Sequence, residues 1–458
     1  VPVLFFPPDI SLGQTVTQYS IFSKDPFGRI QVNLPVPSQI NPVMVNSGLQ
    51  ITRPGSPGSE PPTGMQAFIP VNLPSAQNGL ATVNTPRAVQ QQGDMEREAM
   101  LNEFSRRALE KENAIQSYRQ AFAHIAQMDP SHFSLSTAIY EVENAYLDNR
   151  LNKERFEQAL QLRVDQIRQF LKAHNLSSKN SLSINYAIQQ LFEHPNPYFD
   201  KKSSRNFTLP PFKYDFEDYM GEKDYTKLFA SKLLATGSGQ CHSLPLAYLM
   251  IAEQLGAKAW LSLAPEHSFV QFMDSHGRLM DYETTNGNIV SGSWMAASGY
   301  INAKALRNRT YLDTLSRRQL YARCLADLLL GYLQKFEFDD FAQEIRNSII
   351  LIDPSNITAL IVDANLKKSI AWRAIKAAGM PKPADLSKYP QAFQYYQEMK
   401  DAVGRVDDLG YQDMPSEVYQ AWLKSIEVEK KRLATEKLQE RIRLEAKMQK
   451  SSLQNKKN

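Results

Sequence analysis

A chain of 458 residues that is 42% hydrophobic and 22% charged has the composition of a folded protein. It has room for about two to four domains and a large core. A formal net charge of +4 is too small to point to nucleic acid, and no apolar run has the length a membrane span needs. Two cysteines, Cys241 and Cys324, exclude a disulfide framework and a cysteine-rich zinc site.

The opening VPVLFF is too short for a signal peptide and lacks a basic lead. Because no initiator Met is present, the chain reads as one that has already lost a signal sequence. Cysteine usage leaves the compartment open, with a lean toward an extracytoplasmic one. Residues 1–95 hold 14 of the 26 prolines and clusters such as RPGSPGSEPPTG (53–64). Proline at that density excludes regular helix and central strands. The apolar clusters LFF (4–6), IQVNLPVP (30–37) and FIPVNLP (68–74) favour an extended arm that docks on a partner or on its own body over a free linker.

From residue 96 to about 195 the pattern is helical. AIQSYRQAFAHIAQ (114–127) puts Ile115, Tyr118, Phe122 and Ile125 on one face. Further helices follow over Phe133–Asn149, with Ser134 or Ser136 as N-cap, then Asn152–His174 and Ser181–His194. The aromatic-rich connection 194–221 reads as an ordered loop. Within 196–312, helical KLFASKLLA leads to the glycine turn GSGQ, a helix running to about Leu255, and three strand-like runs: AKAWLSL, HSFVQFM and RLMDYET. DSHG (274–277) has hairpin chemistry. The layout is α+β and mostly helical.

Residues 313–415 are helical again. The stretch 318–366 resembles a tetratricopeptide unit, with Gly331-Tyr332 closing one helix and Asp353-Pro354 ending the next. Residues 416–458 form a long charged helix whose lysines line a solvated face.

The chemistry concentrates at Cys241. It sits in the first turn of an apolar helix behind Gly237-Ser238-Gly239, where unpaired N–H groups and the helix dipole favour a thiolate. The glycines let the backbone bend and leave room for a carbonyl to reach the sulfur. A thiolate nucleophile wants a base, and the base wants an orienting carboxylate. His267 opens one strand and Asp281 lies in the next. A hairpin loop with an odd number of residues puts both on one face; an even one separates them. Glu283 shares the parity of Asp281 and is the reserve carboxylate. Gln240 is a further oxyanion donor unless its side chain faces solvent. Trp260 and Trp294 flank the site and are cleft or core.

The order Cys241, His267, Asp281, with the turn Gly239-Gln240-Cys241, resembles the bacterial transglutaminase-like branch of the papain-type cysteine fold. The resemblance spans roughly residues 222–300. It implies that Cys241 is the nucleophile, His267 the general base and acid, and Asp281 the group that holds the imidazole. It also implies a helix packed on an antiparallel sheet, no cofactor, and a peptide or glutamine amide as substrate. His242 stands where the family often has an aromatic residue, and Tyr282 where a proline often follows the carboxylate.

Cys324 shares an apolar helix face with Leu320 and Leu328 and reads as core. The histidines His124, His132, His174, His194 and His276 show no metal-ligand spacing, and no Gly-Lys-Ser/Thr follows the glycine turn. Two functions follow from these readings. One is an acyl-transfer enzyme acting on amide bonds. The other is a non-catalytic scaffold that keeps the transglutaminase-like core and binds protein partners through its helical repeats and N-terminal arm.

Overall fold

The computed structural model describes residues 86–218, 221–298 and 301–412, together with 418, 421, 422, 424 and 425. The expectations for residues 1–85 and for most of 413–458 lie outside the described residues. The chain divides into two compact units, residues 36–111 and the remainder. The described part of the smaller unit is the start of α1 (Pro86–Ala126). This helix begins inside the stretch expected to be extended, because no proline follows Pro86 before Pro130 and its first position needs no N–H. Glu103 accepts from Arg106 and Arg107, and Arg106 also reaches Glu110, an i,i+3/i+4 ladder on an exposed helix.

In the larger unit α1 runs on to α2 (Leu135–Tyr146), α3 (Lys153–Ala173) and α4 (Ser181–Glu193). Ser134, Asn152 and Asn180 cap them, each side chain accepting a backbone N–H three residues ahead. The expected loop after α4 contains a hairpin, β1 (Asn196–Asp200) with β2 (Arg205–Leu209). A two-residue parallel pair follows, β3 (Lys213–Tyr214) with β4 (Ser238–Gly239), and α5 (Ala230–Thr236) lies between them.

Helix α6 (Ser243–Leu255) has every residue from Ser243 to Ala252 buried, as an apolar helix at the centre of a fold must. The Tyr248 hydroxyl donates to Asn185 Oδ1 at 2.9 Å and ties α6 to α4. Tyr248→Phe leaves that buried acceptor without its donor. The expected loss is about 1–2 kcal/mol in urea unfolding; an unchanged midpoint would show the hydroxyl to be dispensable.

The main sheet is an antiparallel meander in the order β5 (Trp260–Ala264), β6 (His267–Met273), β7 (Leu279–Glu283), β8 (Asn288–Val290). Gln271 pairs with Asp281 and with Trp260. The pleat therefore places Trp260, His267, Gln271, Asp281 and Glu283 on one face and Val270, Phe272 and Tyr282 on the other. Tyr282 packs against Tyr248 of α6 and Phe192 of α4, so those helices cover the second face. The free edge of β5 is covered by residues 312–315, with Leu312 N–H on Leu263 O at 2.9 Å and Leu315 N–H on Leu261 O at 2.8 Å.

Short helices α7 (Gly292–Ser298) and α8 (Ala303–Arg307) lead to α9 (Arg317–Lys335), α10 (Asp340–Ile352), α11 (Ile357–Ala377) and α12 (Pro390–Asp408). Gly331-Tyr332 does not close a helix: it lies inside α9, where a Cβ on Gly331 would stand 3.3 Å from the Tyr118 hydroxyl. The glycine serves close helix approach rather than termination. Asp363 of α11 takes Lys367 at 3.0 Å, Arg405 of α12 at 2.6 Å, and Arg346 of α10.

Beyond α12 the chain is clamped to the α8 region. Asn302 Nδ2 donates to Gly410 O at 2.8 Å and Thr310 Oγ1 to Leu409 O at 2.7 Å. Gly410 has φ +79°, and a Cβ there would collide with the Ala305 backbone. The result is an α+β molecule, mostly helical, with small sheets. Among the described residues no helix is long and apolar enough to cross a membrane.

Candidate active site

The two glycines ahead of Cys241 have separate structural duties. Gly237 ends α5 in the left-handed conformation, φ +76°. A Cβ on Gly239 would lie 2.5 Å from Ser243 Oγ, the atom that accepts the Gln240 N–H at 2.9 Å. Leu244 N–H bonds Gln240 O at 3.0 Å, closing a turn around Cys241, which therefore lies two residues ahead of α6 rather than in its first turn.

Four consecutive residues of this turn reach different parts of the fold or each other. Gln240 is fully buried, and its Nε2 donates to Asp215 O at 2.9 Å and Asp218 O at 3.1 Å. Both amide hydrogens are engaged, so in this arrangement Gln240 anchors the 215–218 loop and offers no donor to an oxyanion. Cys241 is 2% exposed. Its carbonyl accepts the Ser268 hydroxyl at 2.6 Å, and its Sγ lies 3.8 Å from Glu266 O. His242 has Leu228 O at 3.1 Å from Nδ1 and Asp327 Oδ2 at 2.9 Å from Nε2. Both partners are oxygens, so the ring is held between Leu228 and α9. Asp327 also accepts Arg323 Nε at 3.0 Å. Burial alone would raise the Asp327 carboxyl, but Arg323 and His242 outweigh it and hold the group below its ordinary range.

His267 and Glu283 are both fully buried, with Nε2 and Oε2 2.6 Å apart. The other oxygen of Glu283 accepts the Thr285 N–H at 2.9 Å and the Thr285 hydroxyl at 2.8 Å, which fixes the carboxylate. With Nε2 taken, Nδ1 is the nitrogen left to exchange a proton with Cys241. It meets no group at conventional hydrogen-bond geometry, yet Cys241 acts on the ring. Burial would lower the imidazole pKa; Glu283 and Cys241 together prevail and raise it to about 9. At neutral pH the ring is therefore charged, which suits a thiolate–imidazolium pair.

Glu283, and not Asp281, is the carboxylate that meets His267. The register is the reason. Residue 267 stands diagonally across from 283, whereas Asp281 lies a further two residues along β7, opposite Gln271. Asp281 Oδ1 accepts Gln271 Nε2 at 2.7 Å. The loop between Met273 and Leu279 is five residues long, an odd number, so all three groups share a face. Trp260 is half-buried beside Gln271, about 14 Å along the sheet from His267 at about 3.4 Å per residue. It lies with Asp281 rather than with the Cys–His pair. Trp294 sits on α7, its N–H bonded to Ser291 Oγ at 3.1 Å.

Two contacts escape sequence reasoning. Asp327 lies on α9, far along the chain from His242, and carries no motif. Trp422, 3% exposed, places its ring 4.4 Å from the His267 imidazole at 71°. Ser268 was more legible, since it directly follows the histidine. Glu266 precedes it with φ +56°, completing a two-residue Pro265-Glu266 turn of type II sense. Among the described residues no three His, Cys, Asp or Glu side chains converge in a way that could hold a metal ion.

In comparisons with known proteins, no family model matches the chain, and neither a curated protein nor a solved structure matches it.

Proposed function

We propose that this chain is a cysteine-dependent acyl-transfer enzyme with a transglutaminase-like core over residues 196–312, acting on peptide or glutamine amides. The observation that carries the reading is the fixed His267–Glu283 pair, 2.6 Å apart and beside Cys241 in the turn just ahead of α6. The Cys241 thiolate attacks the amide carbonyl, and the carbonyl electrons move to oxygen. Nδ1 of His267 then gives its proton to the departing amine as the C–N bond breaks, leaving a thioester. Water or a second amine, deprotonated by the now neutral imidazole, resolves the thioester. Glu283 holds the ring throughout and offsets its charge.

The remaining regions fit as binding elements: the proline-rich arm over 1–95, the tetratricopeptide-like helices over 313–415 and the charged segment 416–458. A second reading, a non-catalytic scaffold on the same core, draws on the burial of the site, where Cys241, His267 and Glu283 are all 2% exposed or less.

Iodoacetamide alkylation of Cys241 against pH separates the two. Burial and Asp327 push the Cys324 thiol far up, so it serves as the inert background. The enzyme reading expects alkylation with an apparent pKa well below the free-thiol value of about 8.5 and loss of that reactivity in His267→Ala. A profile indifferent to His267 would favour the scaffold.

A further inference from the structure

The Cys–His–Glu set is sealed, and among the residues that seal it Trp422 comes from the C-terminal segment. Its indole packs on the His267 ring, whose other ring neighbour is Phe269, stacked at 6.5 Å. A cationic imidazole against an indole is a favourable pairing. Val418 and Trp422 both pack against the main core. Upstream, the chain is fixed by the Asn302 and Thr310 clamps on Leu409 and Gly410. From Gly410 to Trp422 is twelve residues, and twelve residues of extended chain span about 40 Å. Trp422 can therefore leave His267 while the clamp and α12 stay in place.

We propose that the space Trp422 fills beside His267 is the substrate side-chain subsite, held at rest by the chain's own segment. The subsite takes a polypeptide that presents tryptophan or a similarly large aromatic side chain next to the amide. Catalysis requires Trp422 to be displaced by such a segment. This rests on the acyl-transfer reading, which names the site as one that must admit an amide.

The test uses full-length chains and both cysteines. Trp422→Ala is expected to speed iodoacetamide alkylation of Cys241 at least 10-fold. Cys324, buried in α9, stays protected and so reports that the fold is intact. The synthetic peptide SEVYQAWLKSIEV (residues 416–428), added to that variant, is expected to slow Cys241 again, and the same peptide with alanine for tryptophan is not. A tryptophanyl chloromethyl ketone is expected to label the variant at least 10-fold faster than a glycyl one of equal length.

Unchanged Cys241 reactivity in Trp422→Ala, or equal rates with the two ketones, overturns the proposal. Should both cysteines react, the variant has unfolded and Trp422→Phe decides. A gain at Cys241 alone then supports the proposal, and no gain overturns it. Combining Trp422→Ala with His267→Ala separates the two readings. A site opened by the first change but indifferent to the second sinks acyl transfer and leaves the occupied cleft standing. A wild-type Cys241 that is fast and His267-dependent, with no response to Trp422→Ala, does the reverse.

Discussion

Glu283→Gln is expected to lower the alkylation rate of Cys241 at pH 7 by about 100-fold, the scale at which a positioned base contributes. Without the carboxylate, burial dominates at His267 and the ring becomes neutral, so the charge that supports a thiolate is gone. Asp281→Asn, two residues along β7 from the imidazole's partner, is expected to change the rate by less than about 3-fold on the same argument. Reversal of that ranking would restore Asp281 as the working carboxylate.

The same change has a signature in stability. His267 titrates at about 9 in the fold against an ordinary value of about 6.5. Its folded pKa is raised, so the contribution is fully present below pH 6.5, declines as pH rises and is lost above about 9. It is on the order of 3 kcal/mol. Urea unfolding of wild type and Glu283→Gln should therefore differ most near pH 6 and converge above pH 9. A gap that is constant across that range would mean the charge on His267 is not what Glu283 stabilises.

Asp327→Ala is expected to cost about 3–5 kcal/mol, because it removes the buried carboxylate that the Arg323 guanidinium and the His242 ring share. Their side chains are only 14% and 6% exposed, so water offers little replacement. The groups that bear on this network are Glu143 of α2, Tyr225 and Cys324, besides His242 and Arg323. Asp327→Asn keeps one acceptor and is expected to lose less. A loss below 1 kcal/mol in the alanine variant would mean that solvent or Glu143 takes over the pairing.

The elements that the sequence announced are those with local causes. Ser134 caps α2 because its side chain can reach Thr137 N–H three residues on. The pleat of β6 and β7 follows from residue types alone. The parity of His267 with both carboxylates was legible as a condition on loop length, but the choice between them was not. Register depends on which cross-strand pairs pack, and Gln271 with Asp281 settles it. Gln240 read as an oxyanion donor or a solvent-facing side chain because nothing in the chain foretells the carbonyls of Asp215 and Asp218. Gly331 read as a terminator because the partner that needs its bare backbone, Tyr118, lies two hundred residues earlier.

The turn at 240–243 has a consequence for the order in which the molecule is made. Gln240 is tied to the 215–218 loop, Cys241 to Ser268 of β6, and His242 to Leu228 and to Asp327 of α9. Each tie joins distant parts of the chain, and α9 emerges from the ribosome well after Cys241. Contacts of long sequence separation form late, after the loops between them have closed. The thiol therefore passes through synthesis and early collapse as an ordinary, unactivated cysteine. On the acyl-transfer proposal, the reactivity of Cys241 would be a property of the completed fold, and a partly assembled chain would carry no armed nucleophile.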